Sequence, residues 1–244
     1  MPAIRTAANE RPAELLAPAG HLDGVSMLLR RSCYTGLLPA PTPDTFLAFS
    51  LSNLCDQVVT ISENMERVGL PAKASYHRLT ALPAWQHCLD SGRAIGGKGP
   101  DLESWRESLG EIAGPLGTAI DEMNDQIEMS PQPAGEWGPA IETLGDDFLA
   151  QLVGASPSSV RRYANQTRST PQDVAERLHF IAMLLADLAG SYNEFGIRRW
   201  FSRPRSALGG QSPATLLAGE FDVEGESAAA VARLAAALTG AGAA

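Results

Sequence analysis

The stretch FLAQLVGASPSSVRRYA, residues 148–164, restricts this chain more than any other. An apolar run ends at Gly154, and Ser156-Pro157 opens a second run two residues later. Glycine at a helix end accepts the positive φ that side chains resist. Serine at an N-cap and proline in the first turn start a new helix. Two short helices must therefore meet at a corner, the local form of a helix-turn-helix. Ala150 is small enough to lie where the second helix crosses the first. Val160 points back into the angle, and Leu149, Val153 and Tyr163 fill the remaining inward places.

A helical wheel then separates the faces of the second helix, at about 100° per residue. Ser158, Arg162 and Asn165 oppose Val160, and Ser159, Arg161 and Gln166 flank them. Arginine bridges guanine, asparagine and glutamine read adenine, and serine takes phosphate or base. Ser156 sits at a helix N-terminus, which favours phosphate. Arg168 follows in the loop NQTRSTP, within reach of a backbone phosphate. The residues alone leave two readings open: a helical corner with a solvated arginine pair, or a helix that reads double-stranded DNA.

The net charge is −9, which argues against nucleic-acid binding by the whole surface. The charge is uneven, however. Residues 156–210 hold eight arginines against four acidic residues, a net +4. Residues 1–155 hold ten basic residues against twenty acidic ones, a net −10. The basic segment is the one that contains the corner, which favours the DNA reading.

Helix signals are frequent and strand signals scarce, so the expected class is all-α, an N-terminal helical bundle followed by the helix-turn-helix and a small helical module. Thr42 and Pro43 predict the start of a helix, and Gly69 with Pro71 its end. A broken helical stretch is expected over 72–89 with an interruption at Pro83, then a loop over 91–100. Asp101 caps a helix that Gly114-Pro115 breaks. SPQPAGEWGP, residues 130–139, reads as a linker. The expected layout is a flexible start (1–19), an acidic helical domain (20–129), the linker (130–139), the helix-turn-helix region (140–189) and a C-terminal module (190–240).

After the corner, Thr170, Pro171 and Asp173 predict a capped start for a long helix carrying Val174, Leu178, Ile181, Leu185 and Leu188. Trp200-Phe201, Pro204, Leu208-Gly209, Ser212-Pro213 and Leu216-Leu217 follow in that order. This order, placed after a helix-turn-helix, resembles the Xre/MbcA/ParS-like antitoxins over about residues 140–240. The resemblance implies an operon repressor acting as a homodimer on operator DNA. It also implies neutralisation of a RES-type toxin that consumes NAD. Carried over residue by residue, Trp200, Pro204, Leu208, Gly209, Ser212, Pro213, Leu216 and Leu217 belong to the toxin-binding module. The roughly 130 residues before it are a departure from the short members of the family. On physical grounds Trp200, Phe201, Leu216 and Leu217 equally suit a core, and Gly209-Gly210 a turn.

Enzymatic signals are thin. GRAIGGKG, residues 92–99, approaches a P-loop, but Gly99 stands where Ser or Thr should hold Mg²⁺. His77, His87 and Cys88 match no standard metal spacing. Asp121, Glu122, Asp125 and Glu128 read as a solvated helix face. No catalytic residue, cofactor or metal is expected. Cys33, Cys55 and Cys88 make no pairing motif and suit reduced thiols in the cytoplasm. The start lacks the pattern of a signal peptide, and no run approaches a membrane span of about 18 apolar residues. The competing function is a stand-alone regulator whose N-terminal domain senses a ligand or mediates assembly.

Overall fold

The computed structural model describes residues 22–39, 51–93 and 102–240. Among them it is all-helical, with twelve α-helices and no strand. The expected caps at Thr42 and Asp101, and the expected flexible start, lie outside the described residues.

The chain divides into two units, one of residues 1–28 and 41–126, the other of 29–40 and 127–244. Helix α1, Leu22–Tyr34, begins in the first and ends in the second. In the first unit, α2 (Leu51–Arg67) packs along α4 (Pro83–Arg93), with α3 (Ala74–Thr80) beside it. The interruption before Pro83 is present, as the proline requires. Cys55, Val58, Ile61 and Met65 of α2 and Trp85 and Cys88 of α4 are buried.

Helix α5, Leu102–Glu128, corrects one expectation: it passes through Gly114-Pro115 without a break. Ile112, Leu116, Ala119, Ile120 and Met123 bury one continuous face across the proline. Packing along that face outweighs the roughly 3 kcal/mol that proline costs inside a helix. The expected solvated acidic face is only partly so. Glu122 accepts a hydrogen bond from Ser75 Oγ, and Glu128 pairs with the Arg31 guanidinium at 3.0 Å.

The second unit corrects another. Residues 130–139 are not a linker, because α6 spans Pro133–Leu144. Pro133 occupies the first helical turn, where a missing N–H costs nothing. Gly135 lies so close to α1's end that a Cβ there would stand 2.1 Å from Thr35 O. Glu136 and Trp137 are 0% and 1% exposed. The prolines and glycines that suggest a linker thus serve a helix start and a close approach.

Helices α7 (Asp146–Val153), α8 (Pro157–Ala164), α9 (Gln172–Ala189), α10 (Glu194–Ser202), α11 (Pro213–Leu216) and α12 (Glu226–Gly240) join α6 around one apolar core. That core runs from Trp137 to Ala235 and includes Tyr34. It crosses residue 190, so the corner and the segment after it are packed together rather than separately. Phe148 of α7 meets Phe201 of α10 edge to face, with ring centroids 6.1 Å apart.

A buried polar link ties α6 and α9 to the end of α5. His179 of α9 places Nδ1 2.6 Å from Glu136 Oε1 and Nε2 2.8 Å from Glu128 O. A neutral imidazole carries one N–H, so donating to a carboxylate and a carbonyl together requires the imidazolium. Burial opposes that charge, but the hydrogen bond to Glu136 and the Glu136 charge outweigh it, and the pKa of His179 is raised above its ordinary 6.5.

Two outcomes follow from this packing. Trp200 is 2% exposed, so Trp200→Ala should cost about 3–5 kcal/mol of stability in urea melts. A variant that melts like the parent would mean Trp200 is not a core residue. The raised pKa of His179 fixes a second sign. Its contribution is complete below the unfolded value of about 6.5 and declines as pH rises through the folded value. Stability should therefore fall as pH rises above 6.5, and His179→Gln should remove that part of the slope. A parent chain with flat stability over this range would contradict the imidazolium assignment.

Candidate nucleic-acid interface

Helix α7 ends as the sequence predicts. Gly154 has φ 70° and ψ 34°, and the N–H groups of Gly154 and Ala155 both donate to Ala150 O. Two further carbonyls at this end find partners. Arg177 Nε donates to Val153 O at 3.0 Å, and Gly219 N donates to Gln151 O at 2.8 Å. The loop after α11 lies so close to the corner that a Cβ at Gly154 would meet Gly219 C and O at 2.9 Å.

Ser156 caps α8 by accepting from Ser159 N at 3.1 Å. Its hydroxyl also lies 3.0 Å from those of Ser158 and Ser159. Three hydroxyls thus gather at one helix N-terminus. Val160 and Tyr163 anchor the helix from below, and Ala150, Leu149 and Val153 are buried beside them. The Tyr163 ring stacks on Trp137, with centroids 5.7 Å apart and an interplanar angle of 26°. Trp137 Nε1 donates to Thr170 Oγ1 at 3.0 Å. Thr170 therefore holds Trp137 and does not cap α9, whose N-cap position is Pro171.

This anchoring leaves Ser156, Ser158, Arg161, Arg162, Asn165, Gln166 and Arg168 exposed and Ser159 half-buried. Arg162 Nε donates to Ser158 O at 3.2 Å, which fixes the stem along the helix while its Nη groups make no bond among the described residues. Arg161 Nε lies 3.7 Å from Asp146 Oδ2. Arg168 lies over the Tyr163 ring, 5.5 Å from its centroid. Asn165 Oδ1 accepts from both Thr167 N and Thr167 Oγ1, so in this conformation it holds the turn. Gln166 follows in the left-handed region at φ 58°.

The residues that carry the family resemblance are placed differently. Trp200, Leu208, Ser212, Pro213 and Leu217 are buried, Leu216 is half-buried, and Pro204 and Gly209 are exposed. Each buried residue has a local task. Trp200 packs edge to face on Phe201 and lies beneath the Arg205 guanidinium. Ser212 caps α11 by accepting from Thr215 N, and Pro213 takes the first helical position. Gly209 and Gly210 form the expected turn, with φ 63° and 82°.

The weaker chemical signals do not converge. Residues 94–99, most of the P-loop-like segment, lie outside the described residues, and residues 91–93 of the expected loop belong to α4. His87 Nδ1 is 3.0 Å from Ser108 Oγ, and His77 is exposed. Burial pushes the Cys88 thiol up to about 11. Among the described residues no group of three or more His, Cys, Asp and Glu is arranged to hold a metal. None of the helices described is long and apolar enough to cross a membrane. Comparisons with family models, curated proteins and solved structures find no match to this chain.

Gly154 provides the test of the corner. Gly154→Ala puts a side chain at positive φ and against Gly219, so it should lose more than about 1 kcal/mol in urea melts. An unchanged or raised midpoint would show that the turn relaxes.

Proposed function

We propose that this chain is a DNA-binding antitoxin. Helix α8 reads an operator in the major groove, and the chain represses its own operon as a homodimer. The segment after residue 190 engages a RES-type NAD-consuming toxin. The observation that supports the DNA half is the division of α8. Its apolar side is fixed by Val160, Tyr163 and Trp137, and its outer side presents three hydroxyls and two arginines. Short recognition helices place polar donors at base edges from such a rigid base. A two-fold dimer matches two half-sites, which is why the homodimer belongs to the reading. The toxin half rests on the resemblance of residues 140–240 alone.

One observation favours the second reading, a stand-alone regulator. Five of the eight residues carried over as toxin contacts are buried in the chain's own core or caps. An adjacent reading frame for a RES-type protein separates the two: its presence favours the antitoxin, its absence the regulator.

The DNA half is tested on the full chain, with duplexes selected from a random pool and compared with scrambled ones. Arg162→Ala should lose sequence discrimination of about 1–3 kcal/mol, because an exposed guanidinium on the outer side of this helix suits a bidentate base contact. Arg161→Ala should weaken all duplexes alike and flatten the salt dependence. A folded parent chain that enriches no duplex removes the DNA reading.

A further inference from the structure

Helix α10 has an outer face with no partner among the described residues. At about 100° per residue, Phe195, Arg199 and Ser202 fall on one side and Ile197, Trp200 and Phe201 on the other. The second set is buried. Phe195 is 70% exposed, the one aromatic among the exposed large apolar side chains described. Arg199, one turn on, and Arg203, at the C-cap of α10, are exposed, and their side chains have no acceptor among the described residues. Neighbouring Arg198 differs, because its guanidinium donates to Thr143 O at 2.6 Å and to Glu142 O at 3.2 Å. The outer side of α10 and its C-cap thus offer a phenyl ring and two uncommitted guanidinium groups, on a helix whose other side is locked in the core.

We propose that this face docks a partner protein, with Phe195 seated in an apolar pocket and Arg199 and Arg203 paired to carboxylates around it. An aromatic flanked by arginine is the composition that concentrates binding energy at interfaces. Charge selects the occupant. A second copy meeting this face about a two-fold axis would set arginine against arginine, so an isologous contact is opposed. DNA phosphates would take the arginines but leave the ring without a role. A carboxylate-bearing protein surface satisfies both. Such a partner is repelled by the rest of a chain of net charge −9 and is drawn to the segment of net +4. The proposal rests on the reading that the segment after residue 190 engages a toxin, and it moves that contact from Trp200 to Phe195.

The experiment uses the full chain with a RES-type toxin protein as the probe, and affinity, melting temperature, mass and DNA binding are measured for each variant. Phe195→Ala should weaken the complex about 30-fold while leaving the melting temperature unchanged. The double variant Arg199→Glu, Arg203→Glu should abolish the complex at low salt. Both should bind selected duplex as the parent does. Parental affinity for the toxin in both variants overturns the docking face and leaves the antitoxin reading intact. A parent chain that does not bind the toxin overturns both. Loss of duplex binding assigns the face to DNA, and a dimer that dissociates on Phe195→Ala assigns it to self-association. Either result overturns the proposal.

Discussion

Trp137 holds the second unit in register. Its ring supports Tyr163 of α8, and its indole N–H reaches Thr170 just before α9. One buried side chain on α6 therefore sets the height of α8 and the point at which the chain turns into α9. Buried aromatics with a polar edge suit this task, because the ring fills volume while the N–H demands one particular partner. The geometry of the exposed face follows from it. Arg168 lies over the ring of the same Tyr163 that stacks on Trp137, so a loop cation rests on a residue held by a core contact.

The arginines divide by what they touch. Arg30, Arg177 and Arg198 each donate to a carbonyl in the last turn of a helix: Ala186 O, Val153 O and Thr143 O. Those carbonyls have no partner within their own helix, and a cation there also opposes the negative end of the dipole. A charge count along the sequence cannot make this distinction. Two of the eight arginines between 156 and 210 close helix ends in this way, so the solvent-facing charge lies on α8, the loop after it and the end of α10.

What was legible in the sequence was local. The corner at Gly154, the Ser156 cap, the inward set of Ala150, Val153, Val160 and Tyr163, and the Ser212-Pro213 helix start depend on neighbours within a few residues. Propensity and spacing carry that information. What was not legible depended on residues far along the chain. Gly135 is required because Thr35 lies against it, a hundred residues earlier. Glu136 is buried against His179, whose Nδ1 lies 2.6 Å from its Oε1. Nothing within residues 130–139 reports either contact, so the same glycine and prolines read as a linker. Asn165 shows the limit within a correctly placed helix. The wheel puts it on the outer face, but only the turn shows that Thr167 occupies its oxygen.

The run from Trp200 to Leu217 sharpens the same point. Its order reads like a signature of partner binding, yet each step has a folding reason: a ring beneath Arg205, a two-glycine reversal, a serine cap, a proline in the first turn, a leucine in the core. A motif of this kind specifies how the segment packs. It does not specify which atoms face outward. In α10 the two kinds of information interleave on a single helix. The core stripe takes Ile197, Trp200 and Phe201, and the positions between them decide what the protein presents. The exposed positions in this segment, Phe195, Arg199 and Arg203, lie off the motif, and their exposure depends on the motif residues packing as they do.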